Sequence, residues 1–189
     1  MIRIGILGDI GSGKSYVAKN FGYPVFNADV EVGKIYNKDR KIFNKLKNVL
    51  PEYIYTFPIN KNEISDAILA NNSNLRKIIS IVHLEIRKKM NIFLKKNINK
   101  KIVILDIPLL LENKINKKND ILVFVQSKKK DITKKLKKRK NFNIKLYKKF
   151  KNIQLSLGYK KKKSQFIIKN NFTNKSVNES IKIILKDIL

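Results

Sequence analysis

Residues 8–15, Gly8-Asp9-Ile10-Gly11-Ser12-Gly13-Lys14-Ser15, place glycines, a lysine and a hydroxyl at the spacing G-x-x-x-x-G-K-[ST]. That combination grips the phosphates of a nucleotide. The glycines free successive backbone N–H groups from side-chain obstruction, so they converge on phosphate oxygens at the start of a helix, where the helix dipole also favours negative charge. Lys14 then reaches the outer phosphates, and the Ser15 hydroxyl can hold magnesium. Gly8, Gly11, Ser12, Gly13, Lys14, Ser15 and Tyr16 are therefore the candidate nucleotide-binding stretch.

Such a loop works only between a strand and a helix. Ile2-Arg3-Ile4-Gly5-Ile6-Leu7 reads as a strand buried on both faces. Residues 15–21 continue as a helix without a breaker until Gly22 and Pro24. Further on, residues 23–27 read as a second strand, 28–36 as a helix, 101–106 as a third strand, 120–125 as a fourth and 165–168 as a fifth. Residues 40–100 carry helical periodicity, with Ile78, Ile79, Val82 and Ile86 on one face and loops at 51–62 and 71–74. Residues 128–163 are lysine-laden and helical, and 177–189 form a closing amphipathic helix capped by Asn174 or Ser176. Strands alternating with helices predict an α/β fold with a five-stranded parallel sheet flanked by helices on both faces. The expected organisation is one domain over 1–189, with 40–100 and 128–163 as helical subdomains.

The formal net charge of +29 would ordinarily point to nucleic acid. Here only Arg3, Arg40, Arg76, Arg87 and Arg139 stand among 43 basic residues. Nucleic-acid surfaces favour arginine for its bidentate fork. The abundance of Lys, Asn and Ile is what AT-rich codons supply, so the charge needs no partner, and no specific nucleic acid is expected. The absence of cysteine rules out disulfides and thiolate metal sites. No apolar run approaches the roughly 18 residues that span a bilayer. A soluble, cytoplasmic protein without membrane contact is expected. A monomer is the simplest state, although nothing in these residues excludes an oligomer.

In open α/β sheets, ligands collect at the carboxyl ends of the strands. Asp29 follows the second strand and Asp106 ends the third. A phosphoryl transfer needs a cradle for the donor, magnesium, and a residue that orients or deprotonates the attacking oxygen. Asp29 suits the last role; as a helix N-cap it would be purely structural. Asp106 either supports magnesium or is an ordinary strand-end carboxylate. Arg139 is the one arginine in the lysine-laden segment 128–163, and a planar guanidinium clamps phosphate oxygens as lysine cannot.

With these pieces in order, the chain resembles the dephospho-coenzyme A kinase family. The resemblance rests on residues 8–15, on Asn27-Ala28-Asp29, on His83-Leu84 with Arg87, and on Pro108-Leu109-Leu110-Leu111-Glu112. It continues through Arg139, Gln154 and Lys160 to Phe166-Ile167-Ile168-Lys169-Asn170, and so covers nearly the whole chain. The resemblance implies transfer of the ATP γ-phosphoryl group to the ribose 3′-hydroxyl of dephospho-coenzyme A, with ATP and magnesium required. It implies catalytic roles for Asp29, Lys14 and Arg139, a nucleotide contact for Asn170, acceptor contacts for Asp29, His83, Arg87 and Glu112, and magnesium held by Ser15 and Asp106. Residues 40–100 would bind the acceptor and 128–163 would form a lid. Asp9, Asn27, Leu84 and Lys169 depart from the family pattern, and His83 is equally well read as a helix residue satisfied by a local hydrogen bond.

Other phosphate-loop kinases share the first half of this argument but have no need of residues 108–112. A GTPase would carry Asn-Lys-x-Asp, which Asn116-Lys117-Lys118-Asn119-Asp120 misses by one position. An ATP-dependent nucleic-acid binder is the non-metabolic alternative.

Overall fold

The computed structural model describes residues 1–139 and 142–189. Among them the chain runs β1 (Ile2–Gly8), α1 (Lys14–Asn20), β2 (Val25–Asn27), α2 (Ala28–Lys38), α3 (Arg40–Val49), α4 (Lys61–Ala70) and α5 (Asn72–Lys96). It continues with β3 (Ile102–Asp106), β4 (Ile121–Gln126), α6 (Lys129–Lys137), α7 (Ile144–Asn152), α8 (Leu157–Lys163), β5 (Phe166–Lys169) and α9 (Asn174–Ile188).

The five strands form one sheet in the order β2-β3-β1-β4-β5, and every pairing is parallel. Because the chain leaves β1 for one side of the sheet and later returns to the other, the strand order switches at β1. Such a switch opens a crevice at the carboxyl ends of the strands. β1 and β3 pair from Ile2↔Ile102 to Gly5↔Leu105, while Asn27 of β2 lies directly opposite Asp106 of β3. The near-continuous burial of β1, β3 and β4 is what a sheet covered on both faces requires. Ile4, Ile6, Ile102, Ile104, Val123, Val125 and Ile168 share a core with Val17, Ala18 and Phe21 of α1 and with Val177, Ile181 and Ile184 of α9.

The chain divides into two compact units. One holds the sheet and comprises Met1–Asn27, Lys96–Phe142 and Ile153–Leu189; the other is helical and comprises Ala28–Lys95 and Asn143–Asn152. In the helical unit the stripe Leu75, Ile78, Val82, Ile86 and Met90 of α5 is buried, at the one-face spacing read from the sequence. Buried Glu63 of α4 accepts hydrogen bonds from the Tyr55 and Thr56 amides and the Thr56 hydroxyl, tying down the loop before the helix.

Several boundaries differ from the sequence reading. The loop expected at 71–74 shrinks to Asn71 alone, because its side-chain oxygen accepts the Ser73 N–H and α5 starts at once. The closing helix begins at Asn174, with Thr173 rather than Asn174 or Ser176 in the cap position. Asn171 Oδ1 gathers the Thr173 amide, the Thr173 hydroxyl and the Ser176 hydroxyl and so ties down the turn ahead of the helix, while no side chain caps the helix's own first amides. The lysine-rich stretch 128–163 is three helices, and α7 falls in the helical unit while α6 and α8 fall in the sheet unit.

Asp120, the last residue of the near-miss guanine motif, is committed elsewhere. It lies at the start of β4, its Oδ2 accepting from Arg3 at 3.0 Å and from the Lys117 amide at 2.9 Å. The pair is buried, and removing one partner of a buried ion pair costs about 3–5 kcal/mol. Asp120→Ala should therefore lower stability by about that amount in denaturant titrations while leaving nucleotide preference unchanged.

Candidate functional site

The loop between β1 and α1 is shaped by backbone that L side chains avoid. Gly13 sits at φ 90°, and a Cβ there would run into the Asn170 amide nitrogen. Gly8 sits at φ 151°, where a Cβ would approach the Val125 carbonyl to 2.7 Å. The loop is also held from outside. Asn170 Nδ2 and the Ser127 hydroxyl both donate to the Ser12 carbonyl, at 2.8 and 2.9 Å. No side chain caps α1, which leaves its first turn to an anion. Lys14 arches back, its Nζ donating to the carbonyls of Asp9 at 2.8 Å and Gly8 at 3.4 Å. The unusual Asp9 turns its carboxylate onto the loop's own backbone, accepting the Ile10 N–H at 2.7 Å.

Opposite the loop, Asp106 ends β3 as a buried carboxylate. Burial pushes its pKa above the ordinary value, while the Ser15 hydroxyl, the charge of Lys14 and the Asn27 amide pull it back. The Asn27 bond is 2.6 Å long and follows directly from the cross-strand pairing of those two residues. Asn27 thus orients the carboxylate, a role the sequence reading missed and β2–β3 register alone reveals. Ser15 and Asp106 are brought together by a side-chain hydrogen bond, and both carry hard oxygens of the kind that ligate magnesium. Among the described residues no cluster of three His, Cys, Asp or Glu could hold a metal, so phosphate and water oxygens would have to complete such a shell.

The remaining candidates are placed as follows. Asp29 is the second residue of α2, exposed, and not the helix cap, because α2 already starts at Ala28. Tyr16 on α1 hydrogen-bonds through its hydroxyl to Asn174. Asn170 is buried and its amide is spent on the loop, donating to Ser12 and accepting the Phe172 N–H at 2.8 Å. Arg139 is exposed just past α6. His83 is half-buried on α5, its pKa lowered by desolvation and by the charge of Arg87, one turn along the helix, so the imidazole is neutral near pH 7.

Glu112 lies in the turn after β3, where Leu109 adopts φ 60°, a region bulky side chains rarely enter. Asn113 holds that turn by donating both its backbone and side-chain N–H to the Leu109 carbonyl, each at 3.0 Å. Glu112 Oε1 is 2.7 Å from Lys160 Nζ of α8 and accepts the Leu155 N–H at 3.0 Å. Lys160 also donates to Gln154 at 3.4 Å. These residues share a cleft with Gly8 and Lys14.

A parallel sheet with its order switched at β1, a glycine cradle followed by lysine and serine, and a buried strand-end aspartate define a phosphate-loop kinase fold. The dephospho-CoA kinase family model matches residues 2–176. The chain belongs to that family. It is 35% identical over 127 residues to a dephospho-CoA kinase from Wolbachia sp. subsp. Brugia malayi (strain TRS). That alignment spans 65% of the chain and 65% of the relative's length, a little under two thirds of each. The fold is similar to that of TT1252 from Thermus thermophilus, with TM-score 0.81 and 23% identity over 100% of this chain and 98% of that one. It is also similar to a dephospho-CoA kinase from Campylobacter jejuni, with TM-score 0.61 and 19% identity over 98% and 96%.

Because Asp106 binds its proton more tightly folded than unfolded, stability falls as pH rises from the ordinary carboxylate range through its raised pKa. Asp106→Asn removes that penalty and keeps the shape. The variant should melt above the parent at pH 8, and the gap should close as pH drops towards 4; thermal melts at the two pH values check this.

Proposed function

We propose that this protein transfers the γ-phosphoryl group of ATP to the ribose 3′-hydroxyl of dephospho-coenzyme A, giving coenzyme A and ADP. Family membership across residues 2–176 carries the acceptor. The phosphate loop is consistent with the donor, because it provides an uncapped helix start and a lysine within reach.

In the reaction the bond from the γ-phosphorus to the ADP oxygen breaks and a bond to the acceptor 3′-oxygen forms, while the hydroxyl proton passes to the Asp29 carboxylate. Backbone N–H groups of residues 11–15 bind the phosphates, and Lys14 leaves its loop carbonyls to meet the outer ones. Arg139 clamps the transferring group bidentately. Ser15 and Asp106 would hold magnesium, which would supply positive charge to offset the negative charge developing on the phosphate oxygens. The pair suits that ion, since both ligands are hard oxygens and a buried carboxylate gains most from a cation.

Residues 40–100 bind the acceptor and 128–163 act as the lid. His83, neutral near pH 7, and Arg87 contact the acceptor, and Tyr16 and Asn170 border the nucleotide. The protein works in the cytoplasm as a monomer, and its lysine surface needs no nucleic acid.

A panel of hydroxyl acceptors with ATP and magnesium tests the activity. Turnover with dephospho-coenzyme A is expected, and turnover with adenosine monophosphate or shikimate in its place would overturn the reading. Asp29→Asn keeps the side-chain shape and removes its basicity. It should melt near the parent and bind ATP, yet lose at least about a hundredfold in kcat.

Arg139→Lys should slow turnover far more than Lys138→Gln, because only the guanidinium supplies two parallel donors. Equal losses in kcat would assign both residues to general positive charge.

A further inference from the structure

The Ser12 carbonyl accepts two side-chain hydrogen bonds from distant parts of the chain, one from the Ser127 hydroxyl at 2.9 Å and one from Asn170 Nδ2 at 2.8 Å. The two donors leave the sheet side by side. Gln126 of β4 pairs with Lys169 of β5, so Ser127 and Asn170 are the next residues of neighbouring strands. The Asn170 backbone N–H donates to the Gln126 carbonyl at 2.8 Å and keeps them level. Serine is a favoured helix cap, yet Ser127 does not serve α6 in that way. Lys128 holds the cap position, and no side chain caps the helix. The half-buried Ser127 hydroxyl goes to the phosphate loop instead.

What that bond controls follows from the planarity of the peptide. In a trans peptide the C=O and the next N–H point in opposite directions, so holding the Ser12 carbonyl aims the Gly13 N–H the other way. Gly13 stands at φ 90°. A half-turn of the Ser12–Gly13 peptide plane would carry it to negative φ, which glycine adopts about as readily. That flip would turn a carbonyl oxygen, not an N–H, towards the phosphates. A side chain at Gly13 is not available to prevent it, because a Cβ there would run into the Asn170 amide nitrogen. The loop therefore needs glycine for space and a lock for direction.

We propose that Ser127 is a positioning residue for nucleotide binding, which together with Asn170 locks the Ser12–Gly13 peptide so that the Gly13 N–H faces the phosphate chain. Donors on a carbonyl also polarise its amide, which makes the N–H a stronger donor. The lock rests on the nucleotide reading of the loop given above and is independent of the acceptor.

The test compares Ser127→Ala, which loses the hydroxyl, with Ser127→Thr, which keeps it. Calorimetric titration with ATP and magnesium should show binding weakened by roughly threefold to tenfold in Ser127→Ala and near parental in Ser127→Thr. In turnover the KM for ATP should rise by the same factor in Ser127→Ala, while kcat and the KM for the acceptor stay within about twofold, as for an interaction made equally in the ground and transition states. A folded Ser127→Ala variant that melts lower but binds ATP as the parent does overturns the lock, because the hydroxyl then only ties the β4–α6 connection to the loop. A Ser127→Thr variant as weak as Ser127→Ala also overturns it. Should Ser127→Ala not fold, Ser127→Val set against Ser127→Thr makes the same comparison at constant shape.

The parent alone supplies a further measurement. The chain has seven glycines, so isotope labelling of glycine gives a readable amide spectrum. The Gly13 amide proton should move downfield when ATP binds, and an unmoved one overturns the lock whatever the variants do. A parent that does not bind ATP overturns the lock and the nucleotide reading together, whereas inactivity towards dephospho-coenzyme A with ATP bound would overturn only the proposed acceptor.

Discussion

The parallel alignment of three strand ends is the constraint on which the phosphate-binding region depends. β1 stops at Gly8, β2 at Asn27 and β3 at Asp106, and the hydrogen-bond register places Asn27 across from Asp106. From those ends come the glycine loop, the aspartate that meets Ser15 and the turn that carries Glu112. A shift of one residue in the β2–β3 register would turn Asn27 to the other face of the sheet. Asp106 would then lose the amide that orients it, and its burial would be harder to sustain. The tight packing around the loop serves the same end, since Asn170 and Ser127 fix the Ser12 carbonyl and so fix where the loop's N–H groups point.

Three buried carboxylates in the sheet unit show how differently proteins settle the same desolvation problem. Asp120 is answered by Arg3 and a backbone amide, an arrangement that serves the fold. Asp106 is answered by Ser15, Lys14 and Asn27, and burial leaves its pKa raised, as it does that of Asp120. Glu112 is answered on one oxygen, by Lys160 and the Leu155 amide, while its other oxygen is buried without a partner among the described residues.

Charge in this protein is plentiful, but position gives it meaning. Most lysines lie on solvated faces where pairs contribute little, such as Lys34–Glu31 and Lys88–Glu85 one helical turn apart. Lys160, buried, and Lys14, half-buried, differ because both line one cleft. The same side chain is a solubilising group in one place and a specific hydrogen-bond donor in the other.

The sequence by itself determined the phosphate loop, the alternation of strands and helices, the parallel sheet and the strand-end position of Asp106, with Asp29 just past β2 in the first turn of α2. These are local: glycine spacing, apolar runs of strand length and a 3.6-residue period are written in consecutive residues. It left open whether Asp29 caps its helix, although the helix read from 28 onward already placed Asp29 inside the first turn, where the structure has it. Nor could it show that Asn27 orients Asp106 or that Glu112 meets Lys160, partners 79 and 48 positions apart. Those contacts follow from strand register and from the path of α8. Likewise 128–163, uniform in composition, divides into three helices because Ile132 and Leu136 of α6 bury themselves near Gly11, whereas α7 packs with α4 in the helical unit. Burial and pairing between distant segments are properties of the folded chain, and they decide which of many similar side chains has lost its water and must find a partner or a ligand.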